Sequence, residues 1–192
     1  MASKNLSHVV DAILRFWFGE PGSEAYGTHR DEWFSKNSQF DAMIKKRFTQ
    51  LVEVAGTGQL DMMADCPEGA LALVVVLDQF PRNMYRDDAR AFAQDAHARR
   101  IADKAIEQGF DQHLMPVMRK FLYLPFEHSE NLDDQKRAVD LFAKLGEDDL
   151  EWAEKHRRII EKFGRFPHRN AVLGRISTPE EHKFLEQPGS SF

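Results

Sequence analysis

The chain has 192 residues, 42% of them hydrophobic and 30% charged, which suits one soluble domain (1–192) with a real core and excludes a disordered body. A net charge of −5 argues against a general nucleic-acid binder, and the single cysteine, Cys66, excludes internal disulfides and any CxxC metal site, so a cytoplasmic setting is expected. The N-terminal apolar run carries Asp11 and Arg15 and so fails as a signal peptide. No run of about 18 uncharged apolar residues offers a membrane span.

In chain order, Val9, Val10, Ile13, Leu14 and Trp17 recur at helical spacing and predict a first helix over Ser7 to Phe18, with Ser7 as its cap. A short aromatic helix is expected around Asp31 to Lys36. A longer one follows from Ser38 to about Val54, with Phe40, Ile44, Phe48, Leu51 and Val52 as its apolar stripe and Gly56 and Gly58 at its end.

The stretch Asp65 to Arg86 organises the rest. Ala70 to Leu77 is apolar on every side, as in a helix surrounded by other helices. Asp65, Pro67 and Glu68 read as its capping box, and Pro81 is expected to stop it by disfavouring helical geometry at Phe80. Asp78 at the end of such a helix demands a positive partner, and Arg82 lies four residues on, with Asn83 and Arg86 behind.

Asp87 or Asp88 then caps an alanine-rich helix running to Gln108, closed by Gly109. The next helix runs from about Leu114 to Tyr123. Pro116 is tolerated in its first turn, and Pro125 is expected to force a bend at Phe126. Leu132 to Leu145 and Asp148 to Phe163 read as an antiparallel hairpin closed by Gly146 and Gly164. Thr178, Pro179 and Glu181 cap a last short helix, and 187–192 reads as a frayed tail. No strand of length is visible. The fold class is all-α, in antiparallel helical hairpins around a buried central helix.

Charge is unevenly spread: Glu127 to Glu154 sums to −7 and Lys155 to Arg175 to +6, so the two blocks face each other or different partners. Three polar clusters sit where helices stop, beside proline or glycine. The first is Asp78, Arg82, Asn83 and Arg86. The second is Glu127, His128 and Glu130, and the third is Arg165, His168, Arg169, Asn170 and Arg175. FPRN and FPHRN echo each other, so two proline turns each present arginine and asparagine. Arginines grip carboxylates and phosphates bidentately, so a convergence of these turns makes a site for a small anionic molecule or an acidic peptide end.

In that site Glu127 and His128 are the candidate acid and base, for hydrolysis or isomerisation of an acidic small molecule. A plainer alternative has the same arginines pairing with Asp78, Glu127 and Glu130 to tie helix ends together in an interaction protein. Metal binding by Glu127, His128, Glu130 and His168 matches no ligand spacing, and GxSxG, GxxxxGK[ST] and GxGxxG are absent, so neither metal nor cofactor is expected. Cys66, in a helix's first turn with no neighbouring histidine, reads as packing.

LDQFPRNMYR, FLYLPFEHSE and FGRFPHRNAVLGRISTPEE together resemble a bacterial family catalogued as a domain of unknown function, number nine hundred and twenty-four. The resemblance spans nearly the whole chain. It implies an all-helical fold related to tetratricopeptide repeats and carries no activity and no site residues.

Overall fold

The computed structural model describes residues 2–191, whose regular structure is all helical, with no strand among them. Helix α1 spans Ala2–Phe18, so Ser7 lies inside it rather than at its cap. The expected aromatic helix is a single 3-10 turn, Asp31–Trp33. Helix α2 (Ser38–Gly56) starts where Asn37 accepts hydrogen bonds from the backbone N–H groups of Gln39 and Phe40, and Phe40, Ile44, Phe48 and Val52 form its buried stripe. Rings from these elements pack edge to face and in offset stacks: Phe48 lies 4.6 Å from Phe80, and Trp33 4.7 Å from Phe121.

Helix α3 (Pro67–Val74) is the inner rod, with every residue from Gly69 to Val74 buried. It packs against α1, α5 (Asp95–Glu107) and α6 (Pro116–Glu127), as a helix apolar all round must. At Gly69 the preceding turn comes so close that a Cβ would sit 1.9 Å from the Met63 carbonyl oxygen, so no side chain fits. Two local expectations fail here. The N-cap is Cys66, without a side-chain cap bond, while Asp65 belongs to the preceding 3-10 turn and pairs with Lys104.

The rod also does not stop at Pro81. Val75–Gln79 widens into a π turn, Phe80 keeps helical angles (φ −58, ψ −43), and α4 (Phe80–Met84) continues. In an α-helix the proline ring would strike the carbonyl four residues back. Bonding Phe80 N–H to the Val75 carbonyl, five residues back, opens that turn and lets Pro81 serve as the first-turn proline of α4.

Pro125 is likewise absorbed: α6 runs through it to Glu127, and the His128 N–H donates to the Leu124 carbonyl at 2.9 Å. Leu122, Tyr123, Leu124 and Phe126 are all buried, so packing holds a turn that local propensity disfavours. The expected bend at Phe126 is therefore not formed, and Glu127 and His128 sit on the end of a rigid helix.

The alanine-rich stretch is split into a 3-10 turn capped by Asp88 (Ala89–Phe92) and α5, which ends at Gly109 with φ +71. Helices α7 (Leu132–Phe142) and α8 (Glu147–Phe163) pack against each other as the expected hairpin. Gly146 is the N-cap of α8 rather than the terminator of α7, because α7 already ends at Phe142. Thr178 and Glu181 form the expected capping box on α9 (Pro179–Leu185). The segment after α9 turns back, with the Ser190 hydroxyl on the Leu185 carbonyl at 3.1 Å, and Phe192 lies outside the described residues. Among the described residues no helix is long and apolar enough to cross a membrane.

Candidate functional site

The π turn and the end of α6 bring two of the polar clusters into contact. Asp78, fully buried, accepts a hydrogen bond from His128 Nδ1 at 2.8 Å, another from the Gln79 amide, and an ion pair from Arg82 at 3.2 Å. Burial alone would raise its pKa, but Arg82 and His128 overcome that and hold it well below the usual carboxylate range. His128 moves the other way: burial and Arg82 push its pKa down, so near neutral pH it is an uncharged imidazole with its Nδ1 proton on Asp78. Among the described residues its Nε2 makes no hydrogen bond or ion pair.

His128 stands in the wall of a cavity of about 940 Å³. Arg82, Asn83 and Arg86 line this cavity from the first cluster, Glu127 and His128 from the second, and His168 and Arg169 from the third. Members of all three polar clusters are thus gathered around one opening, with Asp78 buried behind them. A smaller groove of about 280 Å³, lined by Val52, Tyr85 and Gln94, gathers none of these residues.

The remaining candidates serve as ties behind the cavity. Glu130 accepts two bonds from Arg175, at 2.7 and 2.9 Å, and one from the Phe166 N–H at 2.8 Å. Arg165 grips both oxygens of Glu181, at 2.6 and 2.8 Å, and Asn170 bonds Ser177 and Glu181. These six side chains tie the loop after Gly164 in place beside Arg169.

Several arginines on the cavity wall are already satisfied. Arg86 and Asn83 share Asp41 of α2, with Arg86 Nε at 2.6 Å and Asn83 Nδ2 at 2.8 Å. Arg82 grips Asp95 bidentately, at 2.9 and 3.0 Å, in addition to Asp78. Arg169 differs. Its guanidinium lies between the Phe92 and Phe166 rings, 4.5 and 4.6 Å from their centroids. Its Nη1 reaches Asp95 only at 3.4 Å, and its Nε is buried with no hydrogen-bond partner among the described residues. Burial and the neighbouring Arg82 push its pKa down to about 10, which marks a charge that its surroundings under-compensate.

The echo between FPRN and FPHRN has a physical counterpart: each turn sends one arginine to Asp95 and over the Phe92 ring. The sequence does not mark Asp95, because the helix expected from Asp87 or Asp88 to Gln108 places it in the interior as one charge among several, whereas α5 starts at Asp95.

A second group in the same cavity was also invisible in the sequence. Glu127 is buried beside His156 of α8, whose Nδ1 lies 3.2 Å from Glu127 Oε1 and 2.9 Å from the Trp152 carbonyl. Lys120 is ion-paired with Asp149 and lies 4.9 Å from the centroid of the Phe34 ring. Burial pushes the Glu127 pKa up to about 8, against the pull of Lys120, and pushes that of His156 down to about 3. His168 is depressed to about 4 by burial and Arg169. Near neutral pH the cavity therefore presents neutral histidines, a protonated carboxylic acid and an arginine. Among the described residues no three His, Cys, Asp or Glu side chains are grouped to hold a metal ion.

A family model described as a bacterial protein of unknown function (DUF924) matches residues 13–189. A solved structure of a protein of unknown function from Agrobacterium tumefaciens is similar at a TM-score of 0.84 and 41% identity, covering 97% of this chain and 99% of that one. Among curated proteins none matches this chain.

Proposed function

Since the chain belongs to this bacterial family of unknown function, whose description assigns no activity, we propose one from the site itself: the cavity binds a small organic anion, with Arg169 as the anchor. The observation that carries this reading is the contrast between Arg169 and its neighbours. Arg82 and Arg86 are each held bidentately by carboxylates, whereas Arg169 lies over two aromatic rings with only a 3.4 Å approach to Asp95. Aromatic contact holds a guanidinium without using its N–H donors, which leaves them to recognise a carboxylate or phosphate.

A thermal-shift screen of carboxylates and phosphates tests this. The wild type is expected to gain stability with some of them, and Arg169→Ala to lose affinity by about 10–100-fold, the worth of a charge-assisted bond pair. A screen in which no anion shifts the transition, or in which Arg169→Ala shifts like the wild type, would sink the reading.

A second reading adds chemistry, and the Asp78–His128 pair favours it. The buried carboxylate orients a neutral imidazole through Nδ1, so that Nε2 is the lone pair available to accept a proton. Glu127, the adjacent residue, keeps its proton up to about pH 8 and supplies the acid. Base and acid on one wall suit isomerisation or hydrolysis of the bound anion. Deuterium exchange into carbon acids that bind, followed by NMR, should proceed with the wild type and stop with His128→Gln. Bound ligands that never exchange would leave the binding reading standing and remove this one.

A further inference from the structure

The same cavity has an apolar half that anion binding does not use. Phe34, from the turn before α2, and Trp152, on α8, are large side chains left 53% and 49% exposed, although most of the protein's aromatic rings are buried. Both line the opening. Leu124 and Phe142 line the same cavity while almost wholly buried in the core. Exposed aromatic surface that is continuous with a polar pocket marks a place where a ligand's apolar portion is covered.

The cations nearby are placed to leave that surface usable. Lys155 lies over the Trp152 ring at 4.4 Å, and Lys120, paired with Asp149, lies over Phe34. Each is held by a carboxylate, Lys155 by Glu151 and Lys120 by Asp149, so Arg169 remains the anchor for an anion while the lysine stems extend the apolar wall. A bare acetate or phosphate on Arg169 would leave most of the 940 Å³ cavity and both rings in water.

We infer that the ligand is an amphipathic acid, with its anionic group on Arg169 and a ring-sized apolar body laid against Phe34 and Trp152. This inference rests on the anion-binding reading and narrows it to a class: aryl or cycloalkyl carboxylates and phosphomonoesters in place of small hydrophilic anions. Covering a ring-sized body at the usual worth of buried apolar area corresponds to at least a tenfold gain in affinity.

Isothermal titration of the full chain with two matched pairs separates the claims: acetate against phenylacetate, and inorganic phosphate against phenyl phosphate. The aromatic member of each pair is expected to bind at least tenfold more tightly, and that ratio to fall toward one in Trp152→Ala and in Phe34→Ala. Circular dichroism should confirm that both variants fold, since both side chains are half exposed. Equal affinities within the pairs, or ratios unchanged in both variants, would overturn the inference and spare anion binding. Failure of all four compounds to bind would overturn both. A concentration-dependent dimer seen by sedimentation and lost in Trp152→Ala, with the ligand ratio untouched, would assign this surface to a second copy of the chain and also overturn the inference.

Discussion

Replacing Asp78 with alanine should cost about 3–5 kcal/mol of stability, because it removes the one group on which the inner rod, α4 and α6 converge. The carboxylate is fully buried and meets Gln79, Arg82 and His128 at once. Without it Arg82 keeps Asp95, yet one side of a mostly buried guanidinium faces a void, and His128 Nδ1 loses its acceptor. Urea denaturation of the two proteins measures the difference directly, as a lowered midpoint at an unchanged slope. A midpoint that barely moves would mean that the Asp78 network contributes nothing to the fold. The same substitution frees the imidazole to turn, so any exchange activity should fall with it.

Glu127→Gln should change how stability depends on pH. Glu127 is raised from 4.5 to about 8 in the folded protein, so its contribution is complete below pH 4.5 and is lost as pH rises through 8. His156 and His168 are depressed from 6.5 to about 3 and about 4. Their contributions are complete above pH 6.5 and are lost as pH falls through those values. Between pH 4.5 and 6.5 the two histidines outweigh the one acid and stability climbs with pH; above 6.5 only the acid acts and stability declines. A maximum near pH 6.5 is expected, followed by a fall of about 2 kcal/mol by about pH 9.

The amide in Glu127→Gln fills the same place beside His156 and has no proton to lose, so its alkaline limb should be flat. Chemical denaturation across pH 5 to about 9 checks this. A wild type and a Glu127→Gln variant with parallel alkaline limbs would show that Glu127 is ionised in the folded protein at neutral pH, and would leave the cavity without its acid.

Local sequence rules worked where a short stretch settles its own geometry. The Thr178–Glu181 capping box, the Gly109 and Gly164 terminators and, apart from half-buried Leu51, the apolar stripe of α2 formed as expected. They failed at Pro81 and Pro125, where a proline inside an otherwise apolar segment was read as a stop. Each lies in a turn enclosed by packed neighbours, and the enclosure decided the backbone: a π turn in one case and an intact helix end in the other. The capping box at Asp65 failed for a related reason, since a tight 3-10 turn beneath Gly69 displaced the helix start to Cys66.

Sequence alone determined that the chain is helical, that Ala70 to Leu77 is enclosed, and that Asp78 takes Arg82 as partner. Each of these follows from apolar periodicity and from a four-residue spacing along one helix, which need no knowledge of what lies across the interface. Only the tertiary structure decided which arginine keeps free donors. Asp41 and Asp95 lie outside the motifs, and they reach Arg86 and Arg82 only through the packing of α2 and α5, while Arg169 meets the Phe92 and Phe166 rings and has only a 3.4 Å approach to Asp95. Ion pairing depends on separations of a few ångströms in space, so residue types within one motif do not reveal which of them is already neutralised.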